Sequence, residues 1–257
     1  MTALNKVLFP TLGNPTIPAL NIHFYLRVPL VDDRAGCDYG SVEFDAELDR
    51  VLPPDIPNRE ILVRKTARHL ALIAAANEHM NLTRIMSPHE AAIKHVYDSV
   101  APWRFFNEAV RVIDVGTGAG FPGIPLSIVL PHVQFTLIES VQKKARFVDA
   151  AADELDLPNV RIIPERAETI TPNSNGALFT ARAVAPVTRL VPLFGRAFKR
   201  GARMLLYKGP DVESELAEAA VELKRLRVTA EVLNRYELPN QLGVRTLVAL
   251  QSPVRGR

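Results

Sequence analysis

A chain of 257 residues with 47% hydrophobic and 23% charged side chains can bury a full core as one domain or two small ones, and shows no repeat or low-complexity tract. Its net charge of +3 and sequence pI near 9.1 are compatible with a polyanionic partner without requiring one. A single cysteine, Cys37, excludes an internal disulfide and a thiolate metal site, and no apolar run approaches the roughly 20 residues of a bilayer span, so a soluble, monomeric, metal-free protein of the cytoplasm is expected.

Prolines at 10, 15, 18 and 29 interrupt the apolar patches at the start of the chain. No small-residue cleavage site follows, so residues 1–40 read as an extension rather than a signal peptide. Residues 41–106 form a helical segment. Apolar residues recur at helical spacing from Phe44 to Leu52 and from Glu60 to His79, with Ile61, Leu62, Leu70, Ile73 and Ala74 on one side. A third helix opens at Ser87-Pro88, an N-cap with proline at the first helical position. It runs to about Val100 with Ile93, Val96 and Tyr97 inward, and Pro102 ends it.

Residues 107–257 have a different rhythm. Short runs rich in β-branched residues alternate with helical stretches, the pattern of a parallel sheet. Strands are predicted at Val110 to Val115, Val133 to Ile138, Val160 to Ile163, Ala177 to Ala181 and Ala202 to Tyr207. Helices open near Gly123, Val141, Val187 and Asp211, and Thr171 to Gly176 is a loop. Two further strands, Val228 to Tyr236 and Val244 to Leu250, meet through Leu238-Pro239 as an antiparallel hairpin. The expected fold is α/β and Rossmann-like: a seven-stranded, mostly parallel sheet with a C-terminal antiparallel hairpin, preceded by N-terminal helices.

The first strand ends in Asp114 and is followed by glycines at 116, 118, 120 and 123, so a ligand can approach the main chain. The Gly-x-Gly-x-x-Gly from Gly118 to Gly123 suits a dinucleotide as well as S-adenosylmethionine. Asp114 stands where a carboxylate can hold the loop or meet the ligand's ammonium through water. Glu139 ends the next strand, roughly twenty residues past the loop, where an acceptor can take both ribose hydroxyls. That position serves NAD equally; the absence of a second mononucleotide-binding half favours S-adenosylmethionine, the cofactor expected here.

Four groups of residues, in order and spacing, resemble the bacterial RsmG (GidB) methyltransferases. They are Asn81-Leu82-Thr83, Lys94-His95-x-x-Asp98-Ser99, the loop from Asp114 to Pro125, and Glu139-Ser140-x-x-Lys143-Lys144. Arg166-Ala167-Glu168, the run from Thr180 to Pro186 and Lys208-Gly209 extend the likeness, which covers the chain from about Val42. The resemblance implies a class I S-adenosylmethionine-dependent methyltransferase that transfers a methyl group to N7 of a guanosine in the 530 loop of 16S rRNA, with the rRNA or the 30S particle as partner. It also implies that Gly116, Phe121, Ala167, Glu168 and Arg182 line the cofactor site, with Glu139 at the ribose by analogy with the wider fold. Gly118 and Asp114 complete that set.

Candidate RNA contacts are Arg84, Lys94 and His95 on the helical segment, Lys143, Lys144 and Arg146 after Glu139, and Lys208. A solvated helix face explains any single one of these equally well, and His95 is expected to be structural rather than a base. No general base is expected, because N7 of guanine already offers a lone pair. Three other readings stay open at this level: a methyltransferase acting on another RNA or a small molecule, a non-catalytic rRNA-binding factor and an NAD-dependent reductase.

Overall fold

The computed structural model describes residues 39–170 and 176–253. The extension up to residue 38, Cys37 within it, and loop residues 171–175 lie outside the described residues. Two helices open the described chain, α1 (Tyr39–Val51) and α2 (Arg59–Met80). The third, α3, is α-helical over Pro88–Ala91, π-helical over Ala92–Tyr97 and α-helical again over Asp98–Val100. Then follow β1 (Arg111–Val115), α4 (Gly123–Val129), β2 (Gln134–Ile138), α5 (Gln142–Glu154), β3 (Val160–Ile163) and α6 (Ala167–Ile170). The chain continues through β4 (Leu178–Arg182), α7 (Val187–Leu193), α8 (Gly195–Lys199), β5 (Arg203–Lys208), α9 (Val212–Glu218) and α10 (Ala220–Leu226). It closes with β6 (Thr229–Glu237) and β7 (Val244–Gln251).

The seven strands form one sheet in the order β3-β2-β1-β4-β5-β7-β6. The first five are parallel, and β7 runs antiparallel to both β5 and β6. The expected sheet is thus present, with strand ends within one or two residues of the sequence reading. β1 and β5 are buried over all but their ends because both of their faces are covered. The edge strand β6 carries Glu231, Arg235 and Glu237 instead, charges that oppose pairing with another chain. On one face α7 to α10 bury Val187, Leu190, Phe194, Phe198, Val212 and Leu223 against Phe179, Met204 and Leu206. α4 and α5 belong to the other face, where α2 and α3 pack against α4, and α2 also meets α5.

Two details of the helical segment differ from the sequence reading. Ile61 is exposed, and the inward stripe of α2 runs through Leu62, Thr66, His69, Leu70 and Ile73. The buried set spans both turns of a helix packed against two neighbours, so a single apolar stripe misplaces its rim. The second difference is the π-helical stretch of α3. Within it the carbonyls of Lys94 and His95 both accept from the Arg182 guanidinium, at 3.2 and 3.4 Å. A π-turn of this kind often marks a functional region. α2 ends at Asn81 in a left-handed conformation (φ 51), and the Asn77 side chain then holds Thr83 by accepting from its N–H and donating to its carbonyl, both at 2.9 Å. These contacts bring Leu82, Thr83 and Ile85 beside α3.

Phe179 is fully buried and meets Phe194 edge-on, with ring centroids 5.1 Å apart. Phe179→Ala is therefore expected to lower the unfolding free energy by about 3–5 kcal/mol, measured as a shifted urea midpoint with unchanged slope.

Candidate active site

The carboxyl ends of β1 and β4 face a crevice, because the chain leaves them toward opposite sides of the sheet. After β1 the backbone turns through residues 116–122 into α4. Gly116 has φ +66, and a Cβ there would lie 2.9 Å from Val184 Cγ2, so both backbone and neighbour demand glycine. Asp114, fully buried, braces the turn from beneath. Its Oδ2 accepts from Thr117 Oγ1 at 2.6 Å and from the Gly123 N–H at 3.0 Å. At Gly123 a Cβ would sit 2.8 Å from that same oxygen. Burial pushes the Asp114 carboxyl up to about 6, against the opposing pull of its hydrogen bonds. Asp114 therefore holds the loop, one of the two roles its position allowed, and does not line the cavity in front of it.

Glu139 lies just past β2 and is 7% exposed. Its Oε2 accepts from the Gly118 N–H at 3.1 Å and its Oε1 from the Val141 N–H at 2.8 Å. The carboxylate thus ties the glycine loop to the start of α5 while facing a cavity of about 440 Å³, within the range of roughly 300–1,000 Å³ typical of small-molecule sites. Gly116, Gly118, Phe121, Glu139 and Lys144 form one wall of the cavity; Thr83, Lys94, His95, Asp98, Arg182 and Arg245 form the other. A Cβ on Gly118 would meet nothing within 4 Å, so the loop there opens onto free space. Ala167 and Glu168 stand on α6, beyond the end of β3. Ala167 packs on the core, Glu168 is exposed, and neither lines this cavity.

Phe121 is buried in a stack. The His95 ring lies parallel to it (7°, centroids 4.6 Å apart), the His69 ring is tilted against it at 4.9 Å, and the Arg182 guanidinium carbon stands 5.5 Å from its centre. His69 Nε2 is 2.9 Å from the Ala119 carbonyl, so that nitrogen carries the proton, and Nδ1 is buried without a partner. Burial drives the pKa of His69 down to about 4. For His95 burial, joined by the charge of Arg182, drives it to about 3. Both rings are neutral at neutral pH. His95 is held through Nε2 by Thr83 Oγ1 at 3.0 Å and lines the cavity as a neutral ring rather than as a surface charge.

Arg182, at the end of β4, also reaches the Asp98 carboxylate at 3.1 Å. Asp98 is 1% exposed at its side chain and takes a second guanidinium, Arg245, whose Nε is 3.1 Å from each of its oxygens. The Tyr236 hydroxyl donates to the same carboxylate at 3.3 Å. Asp98 stood in a sequence motif without a role, and Arg245, Tyr236 and His69 were not singled out. The available signal for Arg245 was a lone arginine in the apolar run of β7.

Among the candidate RNA contacts, Arg84, Lys143 and Arg146 are exposed, and Lys144 is half-buried beside Glu139. Lys94 is paired with Glu90 at 2.5 Å. Lys208 is not a free cation: it binds Glu215 at 2.7 Å and the Ala185 carbonyl at 3.0 Å. The cause is the turn after β4, where Ala183 takes a left-handed conformation (φ 54) and residues 183–185 fold back toward the end of β5. Among the described residues no helix is long and apolar enough to cross a membrane.

Sheet order, glycine loop and second-strand carboxylate together define a Rossmann-like methyltransferase that uses S-adenosylmethionine. The chain belongs to the family described as GidB, rRNA small subunit methyltransferase G, which matches residues 63–241. It is 56% identical over 208 residues to the ribosomal RNA small subunit methyltransferase G of Solibacter usitatus, covering 81% of this chain and 99% of that protein. It is 37% identical over 184 residues to the protein of the same name from Staphylococcus aureus strain bovine RF122, covering 70% and 77%. In fold it is similar to the YcgJ protein of a Bacillus, with a TM-score of 0.50 and 16% identity over 62% of this chain and all of that one.

The buried histidines fix the sign of a pH effect. An unfolded chain protonates His95 near the ordinary value of about 6.5, whereas the folded chain resists until about 3. Below pH 6.5 the unfolded state binds more protons, so this residue makes stability fall as the pH falls. Asp114 acts oppositely between about 6 and the ordinary carboxyl value of about 3.9, and is common to both proteins compared. His95→Gln should flatten the acid side of the stability curve relative to the parent, as read by urea unfolding at pH 4.5 to 6.5; parallel curves would contradict it.

Proposed function

We propose that this enzyme transfers the methyl group of S-adenosylmethionine to N7 of a guanosine in the 530 loop of 16S rRNA, presented on the rRNA or the 30S particle. Family membership together with the relatives' names carries the reading to small-subunit rRNA. The chemistry of the cavity supports a nucleophile that needs no deprotonation. Every titratable group able to act as a base there is already engaged: Glu139 holds two backbone amides, Asp98 holds two guanidinium groups, and His95 is stacked with Nε2 on Thr83. N7 of guanine has its lone pair available, so orientation is the main requirement.

S-adenosylmethionine supplies an electrophilic methyl on a sulfonium. We assign its binding to the backbone of Gly116 and Gly118, to Phe121 and Arg182, and to Glu139 at the ribose; the open space at Gly118 and the acceptor facing the cavity fit that molecule. The family resemblance adds Ala167 and Glu168 at the neighbouring edge. Residues 107–257 would carry cofactor binding. The helical segment would close the acceptor side, since Thr83, Lys94 and Asp98 come from it. Lys144 and the exposed Arg84, Lys143 and Arg146 would meet the RNA backbone around the cavity mouth. The His69–Phe121–His95 stack itself is neutral at neutral pH, so these two rings add no charge beside the purine.

Purified protein is expected to transfer radiolabelled methyl to 30S particles or 16S rRNA, with the product appearing as 7-methylguanosine in the 530-loop fragment by mass spectrometry. Methylation of a different RNA or of a small molecule alone would replace the substrate assignment. Glu139→Ala should weaken S-adenosylmethionine binding about tenfold or more by calorimetry, in line with loss of hydrogen bonds to a charged group. Unchanged affinity would take Glu139 out of the cofactor site.

A further inference from the structure

We propose that Arg245 on β7 is the phosphate anchor of the acceptor nucleotide, a role that rests on the reading of this cavity as an RNA methylation site. Arg245 lines the same cavity as Gly118 and Glu139 but comes from the antiparallel hairpin, on the acceptor side. Its Nε is spent on Asp98, 3.1 Å from each carboxylate oxygen. Among the described residues Nη1 and Nη2 make no hydrogen bond or ion pair with any residue but Asp98, and the side chain keeps 30% of its surface exposed. The guanidinium is therefore held by one edge and presents the other.

Charge points the same way. Asp98 is the only carboxylate in contact with Arg182 and Arg245 among the described residues. One buried anion thus faces two permanent cations, and a partly desolvated positive charge is left uncompensated. The other groups around the cavity do not cancel it. Lys94 is matched by Glu90, Lys144 has no ion-pair partner among the described residues, and Glu139 is turned to the amides of Gly118 and Val141. Arg182 spends its Nη1 on Asp98 and on the carbonyls of Lys94 and His95. Arg182 is 13% exposed and lies over the Phe121 ring, so the Nη edge of Arg245, in a side chain 30% exposed, is the more accessible of the two. A phosphodiester oxygen pair matches that fork in shape and charge. Anchoring the phosphate beside the target nucleotide would fix the base against the methyl donor.

The carboxylate of the cofactor's methionine is the other anion that could take this place, and the test separates the two. Wild type, Arg245→Gln and Arg245→Lys are compared for S-adenosylmethionine affinity by calorimetry, for thermal unfolding, and for methyl transfer to 30S particles or 16S rRNA at several salt concentrations. For Arg245→Gln the expected result is cofactor affinity within twofold of wild type and an RNA KM raised about tenfold. The plot of log affinity for RNA against log salt should lose roughly 0.7–1 of its slope, the contribution of one phosphate. Arg245→Lys keeps the charge without the fork and should fall between the two, retaining the salt slope. An RNA KM and salt slope like wild type in both variants would overturn the proposal. A loss confined to cofactor affinity would overturn it too, assigning Arg245 to the methionine carboxylate. If wild type itself transfers no methyl to rRNA, the reading of the site fails, and this inference with it.

Discussion

A single carboxylate, that of Asp98, ties the helical segment to three strands of the sheet. It accepts from Arg182 on β4, Tyr236 on β6 and Arg245 on β7, from a helix that is π-wound just before it. Removing a charge from water costs several kcal/mol unless partners surround it, so Asp98 is stable in this place only while all of these elements converge. The same convergence builds the acceptor wall of the cavity. The Tyr207 hydroxyl, donating to the Ser99 carbonyl at 2.8 Å, fixes the next residue of α3 to β5.

The wall around the glycine loop is built by a parallel device, carboxylates that gather uncharged donors. Asp114 gathers Thr117 and Gly123 under the loop, and Glu139 gathers Gly118 and Val141 beside it. Two carboxylates thus set the backbone of one turn, one from below and one from the cavity side. Their differing burial separates their roles: Asp114 is sealed and its acidity weakened, while Glu139 still faces the cavity. Phe121 joins the walls, since it leaves the loop and enters the stack with His95 of α3 and His69 of α2. The loop and the helical segment therefore share one aromatic centre.

The strand pattern was readable because β-branched runs bounded by glycine and proline report burial on both faces, a local property. The positions of the glycine loop and Glu139 were readable because they depend on short spacing: the loop follows a strand, and the carboxylate ends the next. The pairing of Lys208 and the seat of His95 were not legible, for one reason. Sequence supplies the charge or ring but not the partner, and Glu215, Ala185 and Thr83 come from other turns of the chain. Asp114 shows the intermediate case, its place beneath the loop foreseen and its complete closure not.

What the sequence by itself determined is the sheet, the cofactor loop and, through resemblance, the family, all of which rest on contacts between residues close in the chain or on motifs held in fixed order. Only the tertiary structure decided which charges are free. Asp98 and Arg245 are 147 positions apart, and no periodicity links them. Their pairing depends on the reversal of β7 against β5, which returns the end of the chain to the mouth of the cavity. Electrostatic function at this site is a matter of which cations are left over once burial has paired the rest, and that remainder exists only in three dimensions.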